Sequence, residues 1–389
     1  MSTLSLIVTS FDVGPWIEQA LDSAARVLRP GDELIVVDDA SRDEGPARIR
    51  GFAGRGRLAE GVAFHPVLLG RNTPGGVGPA ANIGLGLARG EIVAFLDGDD
   101  WLDTEGFAAV RARFETQLDE PVPADVMIAN YAEWNEAGGH GQAPADARRW
   151  SGVETLPEPE LRDRALSMIA VPWRKLYRRD FLTARDLRFP EGDFFFEDNP
   201  FHWAVCRAAR RIAFHDRRLC HHRVHRPGQT IASSGEELLA FFDHHETILS
   251  DIPRKDRATR SLAMLWLVEN LSWHMGRLRP DAIAAWVARA ETALAAHPGR
   301  DWRNRILAGP VGAQEAETLD LIRQGRTDAA MHRLMLGALA RQEARFGEAF
   351  GTMRAEIGDL RGQIARAAAE APADPALLAA FERARAART

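Results

Sequence analysis

The chain has 389 residues, 46% of them hydrophobic and 27% charged, with 49 basic against 55 acidic side chains for a formal net charge of -6. That length predicts two or three units with a real core, and the acidic balance argues against general nucleic-acid binding, which uses a basic face. Two cysteines, Cys206 and Cys220, make no disulfide framework and fit a reducing, cytoplasmic setting. Met1 to Asp12 has no basic segment and reaches an aspartate early, unlike a signal peptide. No apolar run of about 18 residues marks a membrane span, which leaves peripheral contact at the inner membrane face open.

Apolar runs at Leu4–Ser10, Glu33–Val37, Val62–Leu69, Glu91–Leu96 and Asp125–Tyr131 read as buried strands. The stretches Pro15–Leu28, Asp43–Phe52, Gly78–Ala88 and Thr104–Thr116 read as helices, the last with Thr104 as its N-cap and Glu105 behind it. This alternation predicts an α/β fold, a mainly parallel sheet flanked by helices, with ligands beyond the carboxyl ends of the strands. Residues 132–165, rich in Gly, Pro and Ala, read as a long loop. Apolar content returns at Ser167–Trp173 and persists to about Thr230. Beyond Gly235, Leu238–Leu249, Arg260–Met275, Ala282–Ala296 and Ala313–Gln324 read as amphipathic helices.

In the tail, Leu336, Leu339, Phe346, Phe350, Met353, Ile357, Leu360 and Ile364 fall on alternating three- and four-residue steps, interrupted only by Glu343. That pattern fits a coiled coil joining two chains through 336–364, or a long helix packed on its own bundle. Gly347, Gly351, Gly358 and Gly362 each weaken an isolated helix by about 1 kcal/mol, so either reading needs a partner surface.

The chemistry gathers at strand ends. Ile92–Leu96 delivers Asp97-Gly98-Asp99-Asp100, three carboxylates that repel one another unless solvated or neutralised. Such hard oxygen donors suit Mg²⁺ or Mn²⁺; an acidic turn shaped by Gly98 is the plainer alternative. A second strand ends in Val36-Val37-Asp38-Asp39. The turn after the first strand, Ser10-Phe11-Asp12-Val13-Gly14, has one glycine, so the Gly-x-Gly-x-x-Gly of dinucleotide binding is missing, as is any P-loop. Phe194-Phe195-Phe196-Glu197-Asp198 puts two acids behind three aromatics. Either an apolar wall raises a pKa to make a general base, or an aromatic core strand ends in a helix-capping acid.

Between His202 and Arg226 the chain carries seven arginines, Arg207, Arg210, Arg211, Arg217, Arg218, Arg223 and Arg226. This stretch suits a diphosphate, an acidic acceptor or an anionic membrane surface, or is a solvated helix face followed by a strand. Cys206, Cys220, His221 and His222 lack a standard zinc spacing. Trp101 and Trp173 fit either sugar contacts or the core.

In this order, the motifs resemble the family 2 glycosyltransferases over residues 1 to about 230. The resemblance rests on Leu6–Asp12, Ile35–Ser41, Gly75–Asn82 with Ala88-Arg-Gly90, Phe95–Trp101, Trp173–Phe181, Phe189–Gly192 leading into Glu197-Asp198, and His222–Thr230. It implies a GT-A fold over 1–232, to which the periodicity of the rest adds a helical bundle over 233–330 and a heptad-patterned helix and tail over 331–389. It implies an inverting transferase that takes a sugar from a nucleotide diphosphate donor, a UDP-sugar favoured, to a glycan, lipid-linked or small-molecule acceptor in surface glycan synthesis. Carried over residue by residue, Ser10, Phe11, Asp12, Asp39 and Asn82 lie along the nucleotide, and Asp97 and Asp99 hold Mn²⁺ or Mg²⁺ and the diphosphate. Asp198, with Glu197 beside it, is the base, and Arg223 and Arg226 assist the leaving group. The family usually has Pro-Thr-Tyr-Asn where this chain has Thr9-Ser10-Phe11-Asp12, and often an arginine at Ala81. The rival readings are a sugar-phosphate nucleotidyltransferase, which would carry a Gly-rich basic loop after the first strand, a hydrolase using paired carboxylates, and a silent scaffold acting through its coiled-coil tail.

Overall fold

The structure is a computed structural model that describes residues 2–226, 228–229, 232–302, 311–370 and 375–386. Met1, Pro227, Thr230 and the side chain of Ile364 lie outside the described residues. In chain order the first half runs β1 (Leu4–Ser10), α1 (Gly14–Val27), β2 (Glu33–Asp38), α2 (Gly45–Phe52), β3 (Ala63–Leu68), α3 (Gly78–Leu87), β4 (Ile92–Asp97), β5 (Trp101–Leu102), α4 (Thr104–Leu118) and β6 (Val126–Asn135). It continues through β7 (His140–Gln142), α5 (Glu158–Ser167), β8 (Lys175–Arg178), α6 (Arg179–Ala184), α7 (Asp198–Ala208) and β9 (Ile212–Val224).

Every residue of β1 and β2 is buried, as continuous apolar strands require when helices cover both faces of a sheet. α1 starts with Pro15 in its first turn and turns Ile17, Ala20, Leu21 and Ala24 inward, the three- and four-residue spacing of one helix face. The sheet order is β3-β2-β1-β4-β8-β6-β9-β5, with β7 paired to β6. β3, β2, β1 and β4 are mutually parallel. β8 then lies antiparallel between β4 and β6, and β9 runs parallel to β6. Two reversals through β8 restore the original direction, so β1, β2, β3, β4, β6 and β9 all end at one edge of the sheet, and β8 starts there.

Two local expectations are corrected. Residues 132–165 are more ordered than their composition predicts: β6 runs on to Asn135 because the long β9 offers partners as far as Val224, and α5 occupies Glu158–Ser167. α4 is capped by Asp103 rather than Thr104; the Asp103 carboxylate accepts from Gly106 N at 2.8 Å and pairs with Arg218, a geometry the shorter hydroxyl of Thr104 does not supply.

Beyond β9, α8 (Ala240–Asp251), α9 (Arg257–Met275), α10 (Ile283–Ala295), the single turn α11 (Gly299–Asp301) and α12 (Ala313–Arg323) follow, close to the helices read from the sequence. The chain divides into two compact units, 1–331 and 332–389. The second unit is the greater part of α13 (Thr327–Glu370), followed by α14 (Pro375–Ala386).

Candidate active site

Backbone strain marks the shared strand edge. Of the five non-glycine residues at positive φ among the described residues, four lie in its loops: Asp12 after β1, Ala40 after β2, Phe196 before α7 and His225 after β9. Each costs on the order of 1–3 kcal/mol, and such residues gather at functional sites.

At the ends of β1 and β2, carboxylates build loops. Asp38 accepts from Ser10 Oγ at 2.9 Å, Ser41 N at 3.0 Å and Ser41 Oγ at 2.6 Å. Asp39 accepts from Thr73 N at 2.9 Å, Thr73 Oγ1 at 2.8 Å and Asn72 Nδ2 at 3.0 Å, fastening the 72–73 segment beside it. Asp12 accepts from Arg42 N at 2.7 Å, and its own N–H donates to Ser41 Oγ at 2.9 Å. Phe11 projects outward, 42% exposed. The result is a shallow, polar-walled shelf with an aromatic rim.

At the end of β4, three carboxylates are crowded. Oxygens of Asp97, Asp99 and Asp100 lie within 4.8 Å of one another. Gly98 makes this turn possible, since a Cβ there would sit 2.8 Å from Thr9 O. Burial, then Asp100 and Asp99, push the Asp97 carboxyl up to about 8, with only Thr9 Oγ1 donating to it at 3.2 Å. Asp100 accepts from Arg223 N at 2.7 Å and faces His222 Nδ1 at 3.0 Å. Burial opposes charge on His222, but Asp100, Asp99 and Asp97 outweigh it and lift its pKa to about 9. Asp99 forms an ion pair with Arg226. Three crowded carboxylates, one of them driven towards its neutral form by desolvation and its acidic neighbours, form a set of hard oxygens that fits Mg²⁺ or Mn²⁺.

Arg223 ties this cluster to the far side of the sheet. Its Nε donates to Asp99 O at 2.8 Å, its guanidinium pairs with Glu136 and reaches Gln19 Oε1 at 2.7 Å, and it lies over Trp101 at 5.0 Å. Of the seven arginines in the cationic stretch, Arg223 and Arg226 bond to the carboxylates at the β4 end. Arg207 donates to Asp251 O, Arg211 pairs with Glu120 and Arg218 with Asp103, all at the surface.

Asp198 opens α7, half-buried. Its carboxyl is pushed up to about 6 by burial, tempered by Lys175 and by hydrogen bonds from Asn199, whose Nδ2 donates at 2.9 Å. Lys175 stands at the start of β8 and donates to Ala170 O and Val171 O at 2.9 and 2.6 Å. Burial brings its own pKa down to about 7. Below α7 an aromatic floor fixes this end: Phe189 stacks on Phe201 at 3.9 Å, and Phe95 meets Phe189 at 5.4 Å.

Glu197 faces the other way. It accepts from Gly78 N at 2.7 Å and holds the glycine-rich loop ahead of α3; burial lifts its pKa to about 7. That loop threads a narrow gap, where a Cβ on Gly75, at φ 90°, would lie 2.1 Å from Gly192 O. Asn82 clamps the opposite wall: its Nδ2 donates to Phe189 O and Glu191 Oε1, both at 2.8 Å, and its Oδ1 accepts from Phe189 N at 3.0 Å. The amide of Asn82 is therefore fully engaged within the protein.

Two of the three aromatics before Glu197 pack on the helical bundle. Phe194 meets His244 edge-on at 5.1 Å and Phe196 packs on Phe241 at 4.7 Å. Trp173 is core, 2% exposed and stacked on His222. Trp101 is half-buried, stacked on His221 at 4.8 Å. Cys206 lies against His202 at 3.6 Å and Cys220 against Trp173 O at 3.8 Å, so the cysteines and histidines of the stretch do not converge on a zinc site. Thr9, Lys175 and Glu136 were not legible as site residues, because what places them is pairing of strands distant in sequence.

The family described as Glycosyl transferase family 2 matches residues 5–184, which hold the β2 and β4 acids and Lys175. The chain resembles this family over that stretch. It is 28% identical over 221 residues to the uncharacterized glycosyltransferase EpsJ of Bacillus subtilis, covering 55% of this chain and 58% of that one. The chain spans about three fifths of the length of the first curated relatives it matches, 58% and 61%. The fold resembles TarS 1–349 of S. aureus, solved in complex with UDP-GlcNAc, with TM-score 0.61 and 20% identity over 88% of this chain and 92% of that one. It also resembles the mannosyltransferase PcManGT of Pyrobaculum calidifontis, solved with GDP-Man and Mn²⁺, at TM-score 0.50 and 20% identity, over 87% and 86%. The fold is GT-A, as its sheet order and these likenesses agree.

Among the described residues, no helix is long and apolar enough to cross a membrane.

Proposed function

We propose that the chain is an inverting, metal-dependent glycosyltransferase that moves a sugar from a nucleoside diphosphate donor to an acceptor hydroxyl of a glycan or lipid-linked glycan. The observation that carries this reading is the crowded carboxylate cluster of Asp97, Asp99 and Asp100 at the end of β4. The shelf formed by Phe11, Asp12, Asp38 and Asp39 takes the nucleoside, at the ends of the two strands beside β4. The UDP-GlcNAc complex of TarS supports a UDP-sugar as donor.

Asp97 and Asp99 would hold Mn²⁺ or Mg²⁺, which when bound supplies positive charge to the departing diphosphate. Arg226, ion-paired with Asp99, would lie beside the diphosphate. Arg223 keeps Asp99 and Asp100 in place through its backbone and side chain. Asp198 takes the proton of the acceptor hydroxyl as that oxygen bonds to the anomeric carbon. The bond from that carbon to the diphosphate oxygen breaks with its electron pair, and one displacement inverts the centre. A carboxylate at about 6 is still ionised at neutral pH, yet more basic than an ordinary aspartate, which is what a general base needs. Glu197 positions the donor-side loop through Gly78 rather than touching the reacting atoms.

Thermal unfolding with UDP-, GDP-, dTDP- and CDP-sugars, each with Mn²⁺ and then with EDTA, tests the reading. A donor at 100 times its dissociation constant adds about 2.7 kcal/mol, a rise of a few degrees. The expected result is a manganese-dependent rise with one nucleotide, UDP foremost, abolished by Asp99→Asn. If no nucleotide sugar stabilises the protein in the presence of metal, the proposal fails.

A further inference from the structure

α13 carries a stripe of large apolar side chains that the transferase reading does not use. Leu336, Leu339, Phe346, Phe350, Met353, Ile357 and Leu360 are between 44% and 65% exposed. They keep alternating three- and four-residue steps, with Glu343 at the one polar position. A sustained period of 3.5 residues is the seam of a left-handed coiled coil, narrower than the face a helix lays on a globular core. We propose that this seam joins two copies of the chain as a parallel, in-register coiled coil.

The charges flanking the seam select this occupant. With Leu336, Glu343, Phe350 and Ile357 at the a positions and Leu339, Phe346, Met353 and Leu360 at d, Glu356 falls at g and Arg361 at the following e. In a parallel pair, g of one helix meets the next e of the other, so Glu356 meets Arg361 of the second copy twice over. In an antiparallel pair g faces g, where Gln342, Ala349 and Gln363 give Glu356 no cation. A membrane surface is the weaker occupant. Between Leu336 and Leu360 the helix has Arg341, Arg345 and Arg354 against Glu343, Glu348, Glu356 and Asp359, with none of the basic excess that anionic lipid attracts. Gly347, Gly351 and Gly358 have open space where a Cβ would stand, and they weaken a solitary helix. A helix of this composition needs a partner to bury its stripe.

Sedimentation analysis of the full chain should give a dimer. Phe350→Glu with Ile357→Glu should give a monomer that keeps the unfolding temperature of unit 1. Glu356→Arg leaves the stripe intact and should weaken the dimer several-fold, and adding Arg361→Glu should restore it. Ile357→Cys should cross-link between copies on mild oxidation, Cys206 and Cys220 being buried. A monomeric full chain, a monomer that pellets with anionic vesicles, or a dimer that survives the double glutamate variant overturns the proposal. Indifference of the dimer to Glu356→Arg overturns the parallel register.

Discussion

Two strands of this sheet end in clustered aspartates, and the clusters behave differently. After β2, Asp38 and Asp39 are satisfied by neutral donors, the hydroxyls and backbone of Ser10, Ser41 and Thr73 and the amide of Asn72. After β4, Asp97 has one hydroxyl, while Asp99 and Asp100 face Arg226 and His222. A carboxylate met by neutral hydrogen bonds can stay charged and shape a loop. Carboxylates met mainly by one another and by cations form a site whose charge balance changes when a cation arrives. On the proposed reading, the first cluster is scaffold for a nucleoside and the second would serve the diphosphate.

The largest expected effect tests the reaction those clusters serve. Asp198→Asn should lower kcat by about 10²–10⁴ while leaving the donor-induced thermal shift in place. Burial raises the pKa of Asp198, so its ionised form costs folding stability at neutral pH, and the variant should melt no lower than the parent. A kcat within twofold of the parent removes Asp198 from the reaction.

The comparison itself is broken or kept by a matched pair. Asp99→Asn should abolish manganese-dependent donor binding with little change in the unfolding temperature without ligand. Asp39→Ala should do the reverse in stability, losing about 1–3 kcal/mol as Asn72 and Thr73 lose their acceptor, while the donor binding that remains still requires metal. If the two variants respond alike to Mn²⁺, the clusters are not distinct.

A smaller effect concerns pH. As the proposed base Asp198 would act ionised, and burial pushes its pKa up to about 6, so kcat/KM should fall as pH drops through about 6. A profile flat from pH 5 to 8 contradicts the assignment.

A last effect lies outside the site, in the helical bundle. His245 and His274 are buried and their pKa values are pushed down to about 3 by burial, helped by His297 and Arg277 respectively. His274 Nδ1 accepts from Trp286 Nε1 at 3.0 Å, so it is neutral in the fold. Unfolding lets each take up a proton below its ordinary value near 6.5. Their contribution is therefore complete above about pH 6.5 and is lost as pH falls towards 3, at up to about 1.4 kcal/mol per pH unit for each. His274→Gln should flatten the fall in unfolding temperature over that window.

The apolar runs by themselves determined β1, β2 and β4, because a strand covered on both faces must be apolar along its length, and they placed the acids just beyond it. Helical periodicity likewise determined α8, α9, α10 and α12. Composition misled at 132–165, where β6 is drawn out by pairing with β9, whose partner residues lie 86–89 positions away and give no local signal. Tertiary structure alone decided which charges meet. Lys175 reaches Asp198 because β8 runs antiparallel beside β4. Arg226 reaches Asp99 because β9 ends at the same edge as β4, and Glu136 reaches Arg223 because β6 ends there too. Asn82 and Glu197, read as ligand and catalytic groups, are engaged with the backbone of 189 and of 78. Sequence fixes a residue's chemistry, but a carboxylate's role depends on whether its nearest partner is a peptide N–H, another acid or a cation, and long-range strand pairing settles that.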